Sequence, residues 1–119
     1  MSNPDKVKPV VKVYCLPKLK EDRLQKLHKA IVATALVALD GFGIKSEADL
    51  LVLFPPDSMK YGLGSEILVE VDLPMHPDVR HVHFDEIAAK FGKVVKKFFP
   101  KSFVQCTPYR FDPANSWTS

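Results

Sequence analysis

Only two cysteines, Cys15 and Cys106, occur in a chain of 119 residues. Both sit in apolar runs that read as strands, so the expectation is two buried, reduced thiols rather than a disulfide or a Cys-x-x-Cys redox pair. No run of about 18 apolar residues is present, and the start, Met1-Ser2-Asn3-Pro4-Asp5-Lys6-Val7-Lys8, lacks the apolar stretch of a secretory signal. A soluble, cytoplasmic protein without a membrane partner is expected. The glycine-containing stretch Ser58–Ser65 has no GK[ST] ending and no helix after it, which excludes a phosphate cradle. A Gly-x-Ser-x-Gly turn is missing too, and with it the signature of a hydrolase triad. The histidines are His28, His76, His81 and His83. A spacing of two at a helix start does not converge the rings of His81 and His83, and no third ligand follows at ligand spacing, so no metal site is expected.

What is present is enough for one globular domain. With 46% hydrophobic and 26% charged residues, the chain can bury a core without disulfides or metals. Residues 1–8 form a charged leader, and a single domain spans 9–119. The run Pro9-Val10-Val11-Lys12-Val13-Tyr14-Cys15-Leu16 reads as a first strand. Glu21 and Asp22 favour a helix start, and Leu24, Leu27, Ile31, Ala35 and Ala38 follow at helical spacing until Asp40-Gly41-Phe42-Gly43 stops them. A second strand, Leu50–Phe54, is apolar on both faces. Glu66–Leu73 alternates as a third strand, with Ile67, Val69, Val71 and Leu73 on its drier face. A second helix carries Phe84, Ile87, Ala88, Phe91, Val94, Val95 and Phe98 on one stripe, with lysines largely outside it, and Phe103–Phe111 is the last strand.

These elements make an α/β (α+β) fold of two β-α-β units. Right-handed crossovers would give a four-stranded mixed sheet with both helices on one face. Two helices cover only one face of a sheet whose second strand is apolar on both, so an obligate oligomer is expected. The net charge of +3 is a mild bias towards anions. The lysine face of the second helix reads as a solvated surface, and Glu66–Leu73 lacks the stacking aromatics of an RNA-binding sheet, so no nucleic-acid partner is expected.

Further residues resemble a known family. A proline opens the first strand, and Lys45 stands just before the second strand. Phe54-Pro55-Pro56-Asp57-Ser58-Met59-Lys60-Tyr61-Gly62 comes next, and Ala114-Asn115-Ser116-Trp117 closes the chain. In this the chain resembles the tautomerase superfamily, most closely proteins similar to macrophage migration inhibitory factor. The resemblance implies a homotrimer with active sites at subunit boundaries, and an amino-terminal proline acting as general base on small keto or enol carboxylic acids without a cofactor. It assigns Pro9 the catalytic role and Lys45 the substrate carboxylate, with Trp117 closing the pocket. On the last strand Gln105 and Thr107 stand where relatives of this kind carry Tyr and Asn. As written, Lys8 acylates Pro9, and an amide nitrogen has given its lone pair to the carbonyl. The intact chain should not run the proline mechanism. Pro9 also fits a plain strand-start position, and a catalytically silent member binding a small anion or a protein partner is the alternative.

Overall fold

In a computed structural model the chain is described over residues 7–56, 65–75 and 82–118. Most of the leader, the Asp57–Gly64 stretch with much of the family motif, and residues 76–81 with His76 and His81 lie outside the described residues. Strand β1 is Val10–Tyr14, helix α1 Glu21–Ala38, β2 Leu51–Leu53, β3 Glu66–Pro74, α2 Phe84–Phe98 and β4 Phe103–Phe111. The strand order is β2-β1-β3-β4. β1 pairs with β2 and β3 with β4 in parallel, while the two central strands run antiparallel. This is the mixed sheet expected from two β-α-β units.

Alternation decides which face is covered. Val11 and Val13 on β1 and Ile67, Val69, Val71 and Leu73 on β3 are buried in one core with Leu27, Ile31 and Ala35 of α1 and Ile87, Phe91 and Val95 of α2. Their neighbours Lys12, Tyr14, Glu70 and Asp72 are only half-buried. Both helices therefore pack on one face, and the other carries exposed Leu51, Leu53, Leu68, Phe103 and Tyr109.

Local chemistry sets the ends of the elements. Glu21 and Asp22 occupy the first turn of α1. Gly41, at φ 92°, takes the left-handed turn beyond the helix that other residues adopt only with strain. α2 has Asp85 and Glu86 in its first turn and Lys96 and Lys97 in its last, each sign matching the helix dipole. Arg23 ties the helices together: its Nη2 donates to the Phe98 carbonyl at 3.0 Å, and its guanidinium lies 4.8 Å from the Phe98 ring centroid.

Some boundaries differ from the sequence reading. The first strand stops at Tyr14 because Cys15 adopts φ 65°, so Cys15 lies just beyond the strand rather than in it. The second strand is shorter than Leu50–Phe54, because Leu50 caps the 3₁₀ turn Glu47–Asp49 and Phe54 runs into two prolines that lack ladder donors. Cys15 and Cys106 are each half-buried rather than buried. Among the described residues no helix is long and apolar enough to cross a membrane.

Phe91 is fully buried at the centre of the core. Phe91→Ala is expected to lower unfolding free energy by about 3–5 kcal/mol, read by urea denaturation; a loss below about 1 kcal/mol would mean that the core closes around the cavity.

Candidate active site

The sheet topology sorts the candidate residues between its two ends. Pro9 is buried at the head of β1, and its carbonyl accepts a hydrogen bond from the Leu51 N–H at 3.1 Å. Because β2 runs parallel to β1, the connection carrying Lys45 arrives at the same end of the sheet. A capping box fixes that connection. The Lys45 and Ser46 N–H groups donate to Asp49 Oδ2 at 3.0 and 3.3 Å, and Ser46 Oγ accepts from the Ala48 N–H at 3.3 Å. The Lys45 side chain is exposed.

β4 also finishes at this end. Phe111 pairs with Pro74, and its carbonyl accepts from the Met75 N–H at 2.8 Å. The tail then turns through a 3₁₀ segment, Pro113–Asn115, held by the Ala114 N–H donating to Asp112 Oδ1 at 2.9 Å. Trp117 follows, 72% exposed. Pro9, the Lys45 turn and the Trp117 tail thus gather at one end of the sheet.

Gln105 and Thr107 do not join them within one chain. Gln105 is level with Leu68 of β3 and Thr107 with Glu70, whereas Pro9 lies beyond the Val10–Asp72 pair. Two interstrand spacings and the rise along the strand leave Gln105 roughly 20 Å and Thr107 roughly 14 Å from Pro9. Both belong to the uncovered face of the sheet, Gln105 exposed and Thr107 half-buried.

The sequence reading missed a charged cluster on that face. Lys12 Nζ lies 3.2 Å from both Glu70 Oε2 and Asp72 Oδ2. Hydrogen bonds to Glu70 and then Asp72 raise the Lys12 pKa above its ordinary value. The Asp72 carboxyl is also pushed up, by desolvation first and by its hydrogen bond with Glu70 next, which together outweigh Lys12. The alternation of both strands hinted at these residues, but their meeting depends on the antiparallel register that sets Lys12 opposite Glu70. Cys106 is a poor nucleophile at neutral pH, since burial pushes its thiol up to about 11. Among the described residues no group of three or more His, Cys, Asp or Glu is placed to hold a metal ion. The cavities beside Gly92, Phe42 and Phe54 are not lined by Pro9, Lys45, Gln105, Thr107 or Trp117.

The cluster gives a pH-dependent test. Lys12→Met leaves two adjacent carboxylates uncompensated, so it should destabilise by ~1 kcal/mol at pH 7. A carboxyl whose folded pKa is raised binds protons more tightly in the folded state, so its charged form costs stability as pH rises above its ordinary value. The deficit of Lys12→Met against the parent should therefore shrink as pH falls from about 7 to about 4, measured by thermal melts. A deficit independent of pH would refute the electrostatic account.

No protein-family model matches the chain, and no curated protein matches it. Solved structures do. MIF2 of Leishmania major superposes with a TM-score of 0.61 at 11% identity, covering 87% of this chain and 89% of that one. A fused 4-OT wild-type symmetric trimer gives 0.59 at 14% identity over 87% and 85% of the two chains. A 5-carboxymethyl-2-hydroxymuconate delta-isomerase gives 0.57 at 13% identity over 96% and 88%. The mixed sheet of two β-α-β units with both helices on one side, common to all of these, is the tautomerase-superfamily fold, and this chain has it.

Proposed function

We propose that this protein is a tautomerase-type isomerase that moves a proton between oxygen and carbon of small keto or enol carboxylic acids, with Pro9 as base once its nitrogen is free. The observation that carries the reading is the burial of Pro9 at the head of β1, at the sheet end shared with the Lys45 turn and the Trp117 tail. A free α-amino group titrates near roughly 8, and an apolar surrounding or a nearby cation disfavours its charged form, leaving a neutral amine at physiological pH. That amine accepts the enol proton and returns a proton to carbon. Lys45 holds the carboxylate and offsets the charge that develops on the enolate oxygen.

The site is completed by assembly. The uncovered face carries Leu51, Leu53, Leu68, Phe103 and Tyr109, 38% to 63% exposed, an apolar surface that favours burial against other copies. A homotrimer, in line with the symmetric trimer named for the fused 4-OT structure, would bring Gln105 and Thr107 of one chain towards Pro9 of the next. Sedimentation should give about three times the 13.4 kDa chain mass, and Leu53→Asp should shift it towards one. A monomeric parent protein would rule out a site shared between subunits.

The Lys8–Pro9 peptide bond favours a second reading for the intact chain. Its nitrogen has no available lone pair, so before removal of residues 1–8 the fold can bind a small anion but cannot use the proline as base. Enol–keto conversion of an aryl-pyruvate should therefore be found in a variant beginning at Pro9 and be absent from the full-length chain. Lys45→Ala in the trimmed form should lower kcat/KM roughly 10- to 100-fold. Inactivity of both forms would leave the silent binding reading, and equal activity of both would exclude Pro9 as the base.

A further inference from the structure

A groove between α2 and the start of β4 lies far from Pro9. Phe103 pairs with Glu66, at the opposite end of β3 from the residues that flank Pro9, and the rise along that strand separates the two regions by roughly 23 Å. We infer that this groove binds a small amphipathic carboxylate, an anionic head with an apolar chain or ring behind it. The groove is shallow and open, and its volume of about 490 Å³ falls within the roughly 300–1,000 Å³ usual for small-ligand sites.

The floor and the rim ask for different chemistry. Ala88, Ala89 and Gly92 leave α2 without bulk where it faces Val104 and Cys106. A Cβ on Gly92 would stand 3.5 Å from the Cys106 Cβ, so helix and strand meet there and the groove opens beside the contact. Phe103 borders the groove where β4 begins, and Val104 and Cys106 supply the strand side of its floor.

Lys93 and Lys96 stand on the rim, one helical turn apart, and among the described residues no acidic side chain lines the groove. The Lys96 ammonium donates to the Ser102 carbonyl at 2.5 Å, which steadies it and leaves two of its three donor positions. Neither lysine has an ion-pair partner among the described residues, and Lys90 and Lys97 extend the same charge along the helix. The rim therefore complements an anion, whereas the floor offers nothing polar to the body behind it. An extended polyanion such as nucleic acid or an acidic peptide would use the lysines and leave the apolar floor unfilled. An aliphatic or aryl carboxylate satisfies both.

Calorimetric titration of the full-length chain with sodium decanoate, below its micelle concentration, tests the assignment. Saturable binding of one decanoate per chain is expected, with n-decylamine failing to bind. Lys93→Glu should weaken decanoate at least about tenfold. Ala89→Leu should weaken it similarly by filling the groove, at an exposed helical position where leucine is well tolerated. Failure of decanoate to bind, equal binding of n-decylamine, or indifference to both substitutions would each overturn the proposal. So would a polyglutamate peptide or an oligonucleotide that binds through Lys93 where decanoate does not.

Discussion

Four fully buried valines, Val11 and Val13 on β1 and Val69 and Val71 on β3, hold the molecule together. They are cross-strand partners, Val11 with Val71 and Val13 with Val69, at the centre of the sheet and beneath both helices. A slip of one residue between these strands would turn one set of valines to the open face and bring its charged neighbours into the core. Burial therefore fixes the register, and the register fixes everything mounted on the sheet.

Two features depend on that register. On the open face Lys12 meets Glu70 and Asp72, so the middle of a sheet with apolar edges carries a charged cluster whose parts offset one another. At the end of the sheet, the parallel pairing of β2 with β1 and of β4 with β3 brings the Lys45 turn and the Trp117 tail to the level of Pro9. The same arrangement holds Gln105 and Thr107 away from it. Residues that a family resemblance groups into one site are thus split within a chain.

The covalent structure imposes the other constraint. Pro9 occupies a buried strand head, but its nitrogen belongs to an amide while Lys8 precedes it. Position and protonation chemistry are separate requirements for a base, and the second is unmet while Lys8 precedes Pro9.

Much of the fold was legible in the order of residues alone. The periods of two and of 3.6 located four strands and two helices, and the length of the β-α-β units implied parallel pairs with helices on one face. The ends of the strands were less legible, because the backbone turn at Cys15 and the 3₁₀ turn before Leu51 depend on how the chain leaves or enters each strand in space. The sequence also determined the blocked nitrogen of Pro9, since a peptide bond needs no folding to exist. Only the tertiary structure decided the order β2-β1-β3-β4, and with it the Lys12 cluster, the end at which Pro9, Lys45 and Trp117 gather, and the groove beside Gly92 and Cys106. The physical reason is that periodicity records which side of an element is buried. Which element covers it is settled by the joint burial of residues far apart in the chain.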